Sequence, residues 1–520
     1  VPFASVILIV TAVMASLLEI IDTSIVNVAI PTMMGNLGTT LENISWVVTG
    51  YIISNAIVLP LAGWLSLRLG RKFYYTGCIL LFTATSVGCG LAPNLWVLVV
   101  MRVFQGMAGG ALLPTSQALI MEAFPKEKAG QASATFGMSV MIGPTIGPTL
   151  GGYLTDNYGW RSIFNINLPL GLAAAALSYL YVEDHKKIEN SDGTIRKPPP
   201  IDYIGLILLI VGIGCLQYVL ECGETDDWFS SKVIIVTTLA AVISIPSFIW
   251  WELHTEHPIV ELSLFKITAI RYGTMIMGTV GSMLYSLIFF IPVFASSVLG
   301  LTATKTGELF IPGALASAAM MPFAGIAMKR VDPRVLIAAG FILFEIALLM
   351  LTGFSAQTSS DGMFNPLFVR GLAMAFLFVP INASVLSQFS GPKLGQAAGL
   401  MNLSRQIGGS IGIALYSTMF TIYRAQFRTD VSSHVSLLNP AAAQQFHSMS
   451  NGMGSKFGSA VGFTDFATVG LKQLYYRVER QVFVLGFDRV MWTMFFISGI
   501  ALIPVFFLKT KGPVKAVDVH

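Results

Sequence analysis

An all-α polytopic membrane fold is predicted by three observations. The 520-residue chain is 54% hydrophobic before glycine is counted, and only 11% of its residues are charged. Soluble domains carry about 25% charged residues, so the composition argues against a soluble enzyme and against disordered, collagen-like or disulfide-stapled chains. Apolar runs of about 20 residues, the helix length that crosses a bilayer core, recur fourteen times along the sequence. Basic residues gather in alternate connecting segments. The net charge of +4 is too small to point to a nucleic-acid partner.

In chain order the predicted spans are 4–30, 44–65, 73–92, 95–119, 131–153, 162–182, 203–221, 232–251, 269–298, 307–328, 334–353, 365–388, 396–423 and 486–508. Residues 1–18 run into the first span without a small-residue cleavage site, which argues against a removable signal peptide. With a cytoplasmic N-terminus, 18 of the 31 Lys and Arg residues fall on the cytoplasmic side, and the short external loops keep Arg161, Lys232 and Lys305. This is the positive-inside pattern, and it places both termini in the cytoplasm. The external segment 424–485 is too long for a simple connection. Thr464 is expected to cap a helix there, running through Phe466, Leu474, Tyr475 and Val478.

Cysteine and histidine contribute little chemistry. Cys78 and Cys89 lie eleven residues apart in one span, Cys215 and Cys222 flank the end of another, and none has metal-ligand spacing. All six histidines (His185, His254, His257, His434, His447 and His520) fall in connecting segments or at the C-terminus, so a proton relay within the membrane has to use carboxylates.

Three features recur at nearly constant separation. The basic turn Gly63 to Lys72 is echoed by Gly325 to Arg334, with Arg68 and Arg330 262 residues apart. Arg102, followed by Gly106, is echoed 268 residues later by Arg370, followed by Gly371. Gly130-Gln131 is echoed by Gly395-Gln396 at an offset of 265. These repeats imply two homologous six-helix bundles, 1–182 and 269–508, the second including segment 424–485. Between them lie a cytoplasmic linker (183–202), two inserted spans (203–251) and a cytoplasmic connection (252–268), and a tail (509–520) ends the chain. Repeated bundles facing one another across a midplane site are a transporter architecture.

The sequence resembles the major facilitator superfamily over nearly its whole length, and within it the fourteen-helix drug:proton antiporters of the EmrB/QacA type. The markers are Asp22-Thr-Ser-Ile-Val-Asn27-Val-Ala-Ile-Pro31, the basic turn after the second span, and Arg102-Val-Phe-Gln105-Gly106. Gly143-Pro144-Thr-Ile-Gly147-Pro148-Thr-Leu-Gly151-Gly152 and Trp160-Arg161-Ser-Ile-Phe-Asn-Ile-Asn167-Leu-Pro169 continue the match. The stretch from Trp251 to Lys266 is similar to the EmrB branch in particular. The resemblance implies proton-driven efflux of lipophilic compounds across the inner membrane of a Gram-negative bacterium. It implies no cofactor, and it implies partnership with a periplasmic membrane-fusion protein and, through it, an outer-membrane channel.

Among the 27 acidic residues, Glu19, Asp22 and Glu345 fall well inside predicted spans. An ionised side chain at mid-bilayer costs about 2.5–3.5 kcal/mol on insertion scales, so such residues are functional candidates. Glu19 and Asp22 share one helix face, and two carboxylates this close in a dry site favour keeping a proton on one of them. Arg102 is the natural partner of Asp22, as a permanent cation whose approach or retreat alters the carboxylate's hold on its proton. The resemblance implies the same coupling role for Arg102, and a static ion pair is the competing reading. Glu345 either exchanges protons or attracts cationic lipophiles in the cavity, or it bonds a Ser or Asn of a neighbouring helix.

The helix carrying Gly143, Gly147 and Gly151 has a groove for close packing, with Gly152 beside it and Pro144 and Pro148 bending it. In the resembling family this array marks antiporters and is inferred to seal the two halves. The turn holding Gly63, Arg68, Gly70, Arg71 and Lys72, with Arg330 and Asp332 in its echo, reads as a cytoplasmic latch. Leu67 stands where the family pattern has an acid. Polar or aromatic cavity candidates are Asn27, Tyr51, Asn55, Gln105, Tyr285, Asn382, Asn402 and Gln406, each of which could instead join helices. No phosphate-binding Gly-x-x-x-x-Gly-Lys motif is present. The rival functions are export of a defined metabolite or siderophore, an uptake symporter, and a non-transporting scaffold.

Overall fold

A computed structural model of the chain describes residues 3–184, 201–435 and 466–508, with the isolated positions 443, 444, 446 and 448. Most of the expected linker, Thr464 and the tail 509–520 lie outside the described residues. The first helices are α1 (Phe3–Leu37), α2 (Leu41–Val58), α3 (Ala62–Leu69), α4 (Arg71–Gly90), α5 (Leu95–Ala123), α6 (Ala129–Tyr158), α7 (Ser162–Asn165) and α8 (Asn167–Tyr181). Two further helices follow, α9 (Tyr203–Cys222) and α10 (Lys232–His254). The rest are α11 (Thr268–Ser297), α12 (Ala303–Glu308), α13 (Ile311–Ala327), α14 (Pro333–Thr352), α15 (Phe364–Leu386), α16 (Pro392–His434), α17 (Phe466–Ile500) and α18 (Leu502–Phe507).

Local chemistry sets several boundaries. Thr40 and Asn94 cap α2 and α5 by accepting from the N–H groups of Asn43 and Val97, the second at 3.0 Å. Asp202 caps α9 through the Gly205 N–H at 2.9 Å. Gly70 separates α3 from α4 at φ +84°, a conformation that favours glycine. Pro60 lies in the 3₁₀ turn Leu59–Leu61 that joins α2 to α3.

Among the described residues, twelve helical segments are long and apolar enough to cross a membrane by length and composition. The other two of the fourteen expected spans are α6 and α16, which have the length but are too polar to meet that measure. The physical reason is their position between other helices. α6 packs against α1 and α13, and α16 against α11, α5 and α3. Ser133, Ser139, Asn402, Arg405 and Ser410 are therefore buried in protein and do not face lipid. The last span also begins earlier than expected, because α17 is one helix from Phe466. α16 likewise continues to His434. Their extensions pair through Glu479, which accepts from Arg424 at 3.1 Å and from Arg428 at 2.8 Å.

α9 and α10 pack on each other, and α9 bridges α2 and α16. Trp46 of α2 stacks on Tyr218 of α9 at 5.7 Å, while Ser410 of α16 bonds Glu221 at 3.0 Å and Thr418 bonds Trp228 at 3.0 Å. Much of α10's remaining surface, including Val236, Leu239, Val242 and Ile243, is exposed and apolar, as lipid contact requires.

The repeats cross-pack. A Cβ on Gly130 would lie 2.6 Å from the Gly325 carbonyl oxygen, and one on Gly325 would lie 2.6 Å from that of Gly130. Their echoes meet in the same manner, since a Cβ on Gly63 would be 2.7 Å from the Gln396 nitrogen. Each basic turn thus leans on the Gly-Gln pair of the other half, backbone against backbone. Replacing Gly325 with Val is expected to destabilise the protein by about 1–3 kcal/mol, the usual cost of overpacking. A thermal unfolding midpoint in detergent equal to that of the wild type would show that the seam tolerates a side chain.

Candidate functional site

α1 rises through a cluster formed with α2, α4, α5 and α8, and the polar centre of that cluster is Asp22. Asp22 Oδ2 accepts from Arg102 Nη1, and both side chains are essentially inaccessible to solvent. Asp22 Oδ1 accepts from Gln105 Nε2 at 2.9 Å and from Asn167 Nδ2 at 3.0 Å. Arg102 also donates through Nε to the Val47 carbonyl at 3.0 Å and through Nη1 to Gln105 Oε1 at 2.9 Å. The Tyr51 ring covers its guanidinium at 4.1 Å. Gly106 makes this possible, because a Cβ there would collide with Tyr51 and Ser54 and push α5 away from α2. The expected Asp22–Arg102 pairing is present, and Gln105 and Tyr51 belong to it.

Asn167 had no role assigned from sequence, although it lies within a quoted motif. It joins Asp22 to Ser86 at 3.0 Å, and Ser86 donates to the Phe164 carbonyl at 2.9 Å. A lone asparagine at the start of a helix carries no signal of a partner 145 residues away.

Glu19 has a different environment. It is buried one turn from Asp22, and its Oε1 accepts from Asn55 Nδ2 at 2.9 Å. Among the described residues its Oε2 has no hydrogen-bond partner, nor has the neighbouring Tyr51 hydroxyl. Arg405 of α16 and Asp22 both lie close enough to act on Glu19 electrostatically. Asp22 is therefore saturated by a cation and amide donors, whereas Glu19 retains an oxygen that can carry a proton without breaking a hydrogen bond.

A second polar layer joins the two sets of helices. Gln117 of α5 donates to Asn382 of α15 at 2.7 Å and accepts from Asn402 of α16 at 2.6 Å. Asn402 Oδ1 accepts from Arg405 at 3.0 Å, and Gln406 donates to the Ile52 carbonyl at 3.1 Å. Asn382, Asn402 and Gln406 thus join helices, and Gln117 connects the first two. Tyr285 packs beneath Gly409 of α16. Asn27 is exposed, and its amide reaches its own helix at the Thr23 carbonyl, 3.5 Å away. Glu345 stands apart on α14, accepting from Ser498 of α17 at 2.6 Å, which is the neighbouring-helix bond the sequence offered as its alternative role.

The glycine array of α6 faces in two directions. Gly143, Gly147 and Gly151 turn towards α1, where added Cβ atoms would meet Ile20, Ser24 and Ile25. The three glycines therefore press α1 into place behind Glu19 and Asp22, whereas a seal between halves was expected of them. Contact with the other half comes from Gly152, where an added Cβ would lie 3.1 Å from the Thr304 hydroxyl, and from Pro148, 3.2 Å from a Cβ on Gly307. Pro144 lies in the same stretch of α6.

The basic turn has acidic partners that the sequence did not reveal. Arg71 pairs with Glu122 at the end of α5, and the Lys72 N–H donates to Asp184 at 2.8 Å. These contacts hold α4 to the end of α5 and to the segment after α8, while Leu67 is exposed. Arg68 lies over Trp64 at 5.6 Å. In the echo, Asp332 caps α14 by accepting from the Arg334 N–H at 2.9 Å, and Arg330 is exposed. Among the described residues no group of His, Cys, Asp and Glu is placed to hold a metal ion.

Removing one partner of a buried ion pair costs about 3–5 kcal/mol because a buried charge is left alone. Arg102→Gln is expected to lose stability on that scale, and the double change Asp22→Asn with Arg102→Gln to lose less than the two singles summed. Additive losses in a thermal or denaturant double-mutant cycle would show that the pair is uncoupled.

The family model for the Major Facilitator Superfamily matches residues 12–413. The multidrug export protein EmrB of Escherichia coli K12 is 34% identical over 455 residues, covering 86% of this chain and 86% of that protein. The fatty acid resistance protein FarB of Neisseria gonorrhoeae is 33% identical over 504 residues, covering 95% of this chain and 94% of that protein. The crystal structure of the human organic anion transporter MFSD10 superimposes with a TM-score of 0.56 at 13% identity, covering 98% of this chain and 100% of that one, a likeness of fold.

Proposed function

Because the chain belongs to the major facilitator superfamily and to its EmrB-type branch, we propose that it exports lipophilic drugs and toxic compounds in exchange for protons. It is a multi-pass membrane protein and a transporter rather than an enzyme. The names of its relatives, multidrug export and fatty acid resistance, support a lipophilic substrate range. We place it in a bacterial inner membrane with both termini cytoplasmic, as its basic loops indicate. The two six-helix bundles, 1–182 and 269–508, then rock about the central site while the inserted pair 203–251 bridges them.

The observation that carries this reading is the contrast between Glu19 and Asp22, two buried carboxylates on one helix with opposite hydrogen-bonding states. A proton entering the cavity settles on the orphan oxygen of Glu19 and neutralises a buried anion. Its release needs a cation or water nearby, and Arg405, carried by the other half, approaches or recedes as the halves move. Asp22 stays tied to Arg102 until the helices around it shift, so its pair senses the same motion. A potential of 100 mV supplies about 2.3 kcal/mol per charge, so neither ATP nor a cofactor is needed. The paired extensions of α16 and α17 form an arm suited to a periplasmic membrane-fusion protein, which would connect to an outer-membrane channel.

Substrate-triggered proton movement in proteoliposomes tests the assignment. Glu19→Gln keeps the Asn55 bond but cannot release a proton, and it is expected to slow ethidium-driven proton movement at least tenfold while ethidium still binds. Full coupling in Glu19→Gln and in Asp22→Asn would remove both acids from the mechanism.

A further inference from the structure

The inserted helix pair carries an acid at each end of its chain. Asp202 immediately precedes α9, Glu252 lies in the last turn of α10, and the packing of the two helices brings both acids to one end of the pair. Asp202 is half-buried and well supplied with donors. Its Oδ1 accepts from the Gly205 N–H that it caps, and its Oδ2 accepts from the Trp251 indole at 2.7 Å. Glu252 is 4% exposed, and among the described residues neither of its oxygens has a hydrogen-bond partner. The Ile259 and Val260 N–H groups of connection 252–268 are near enough to act on it but outside bonding geometry. A Cβ on Gly205 would stand 2.6 Å from Asp202 Oδ2 and 2.9 Å from Glu252 Oε1, so the two acids flank the same point of the α9 backbone.

No cation answers Glu252. Among the described residues Asp202 is the one charged side chain close enough to act on it. On α10 itself His254 is exposed, with its ring Nδ1 2.7 Å from the Trp250 carbonyl oxygen. In the connection Glu256, His257 and Lys266 are exposed, while Glu261 accepts from Ser263 at 3.2 Å and lies 3.5 Å from Lys393. A carboxylate withdrawn from water, unbonded and beside a second acid pays heavily for its charge. One proton placed between the two acids removes that charge and supplies the missing bond.

We propose that Glu252 and Asp202 bind one proton between them, a protonation site at the base of the inserted pair and separate from Glu19 and Asp22. The proton belongs to the pair and not to either acid. With it bound, Glu252 donates to Asp202 across Gly205, and the buried Ile259 and Val260 stay packed beside a neutral carboxyl. When it leaves to water through the half-buried Asp202, two like charges face each other beneath the connection, and the stretch leading into α11 loosens. The junction is therefore held at low pH and released as pH rises. In the orientation proposed above this end faces the cytoplasm, so the site responds to cytoplasmic alkalinity.

Amide hydrogen exchange of segment 255–267 in the full-length protein in detergent, expressed as protection factors, reads the junction. Wild-type protection is expected to fall about tenfold or more between about pH 6 and about pH 9, the range in which buried carboxyls give up their protons. Glu252→Gln, neutral at every pH, is expected to stay protected throughout. Asp202→Asn keeps a helix cap but removes the second acid, and it is expected to displace the step along the pH axis. Infrared difference spectra of wild type against Glu252→Gln are expected to hold a protonated carboxyl band at the lower pH that disappears over the same range. Equal pH profiles in wild type and Glu252→Gln, or the absence of that band, overturn the proposal. Protection that sodium restores at high pH, and only when both acids are present, assigns the pair to a metal cation and overturns it too. Thermal midpoints at the lower pH check each variant. If Glu252→Gln does not fold, the wild-type step and its displacement in Asp202→Asn decide, and a step left in place overturns the sharing. None of these readouts needs a substrate, so they stand apart from the export reading.

Discussion

A buried charge inside a membrane has to be answered by other groups, and the Asp22–Arg102 pair shows how much structure that requires. Both side chains are cut off from water, so each lone pair and N–H needs a partner from the protein. Meeting that demand draws α1, α2, α4, α5 and α8 to one point, through Gln105, Asn167, the Val47 carbonyl and the Tyr51 ring. Gly106 on α5 and the glycine face of α6 then become necessary, because helices this close leave no space for side chains. Much of the first bundle's packing follows from satisfying one carboxylate.

Glu19 gains its meaning from that arrangement. It shares a helix face with Asp22 but faces α2 and approaches α16, so it receives one amide donor and no contacting cation. Two acids one turn apart on one helix thus differ in their hydrogen bonding, one saturated by donors and the other keeping an open oxygen. The nearby Gln117–Asn382–Asn402 chain ties the halves together at the next layer, where neutral amides bond across the interface without burying an unpaired charge.

The seam between the halves follows the pseudo-symmetry of the sequence. Gly63 against Gln396 and Gly130 against Gly325 are the same contact made twice, with the roles of the halves exchanged. Backbone-to-backbone contact of this kind gives tight van der Waals packing with few side-chain rotamers to order. The acids holding each turn in place, Glu122 and Asp184 in the first half and Asp332 in the second, differ between the halves, so the symmetry belongs to the contact and not to its supports.

The sequence by itself determined the membrane class, most of the spans, the repeat and the Asp22–Arg102 pairing. These depend on composition, on hydropathy over windows of 20 residues and on charges that are costly to bury, all of which are written locally in the chain. Tertiary structure decided the rest. It turned three glycines of α6 towards α1, set Glu345 on Ser498, and brought Asn167, Gln117, Glu122 and Asp184 to partners that no local spacing could name. Among the described residues it also left Arg370 without the acid that its echo possesses. Which neighbour a polar side chain meets depends on how helices far apart in sequence are rotated against one another. That rotation is set by the packing of the whole bundle.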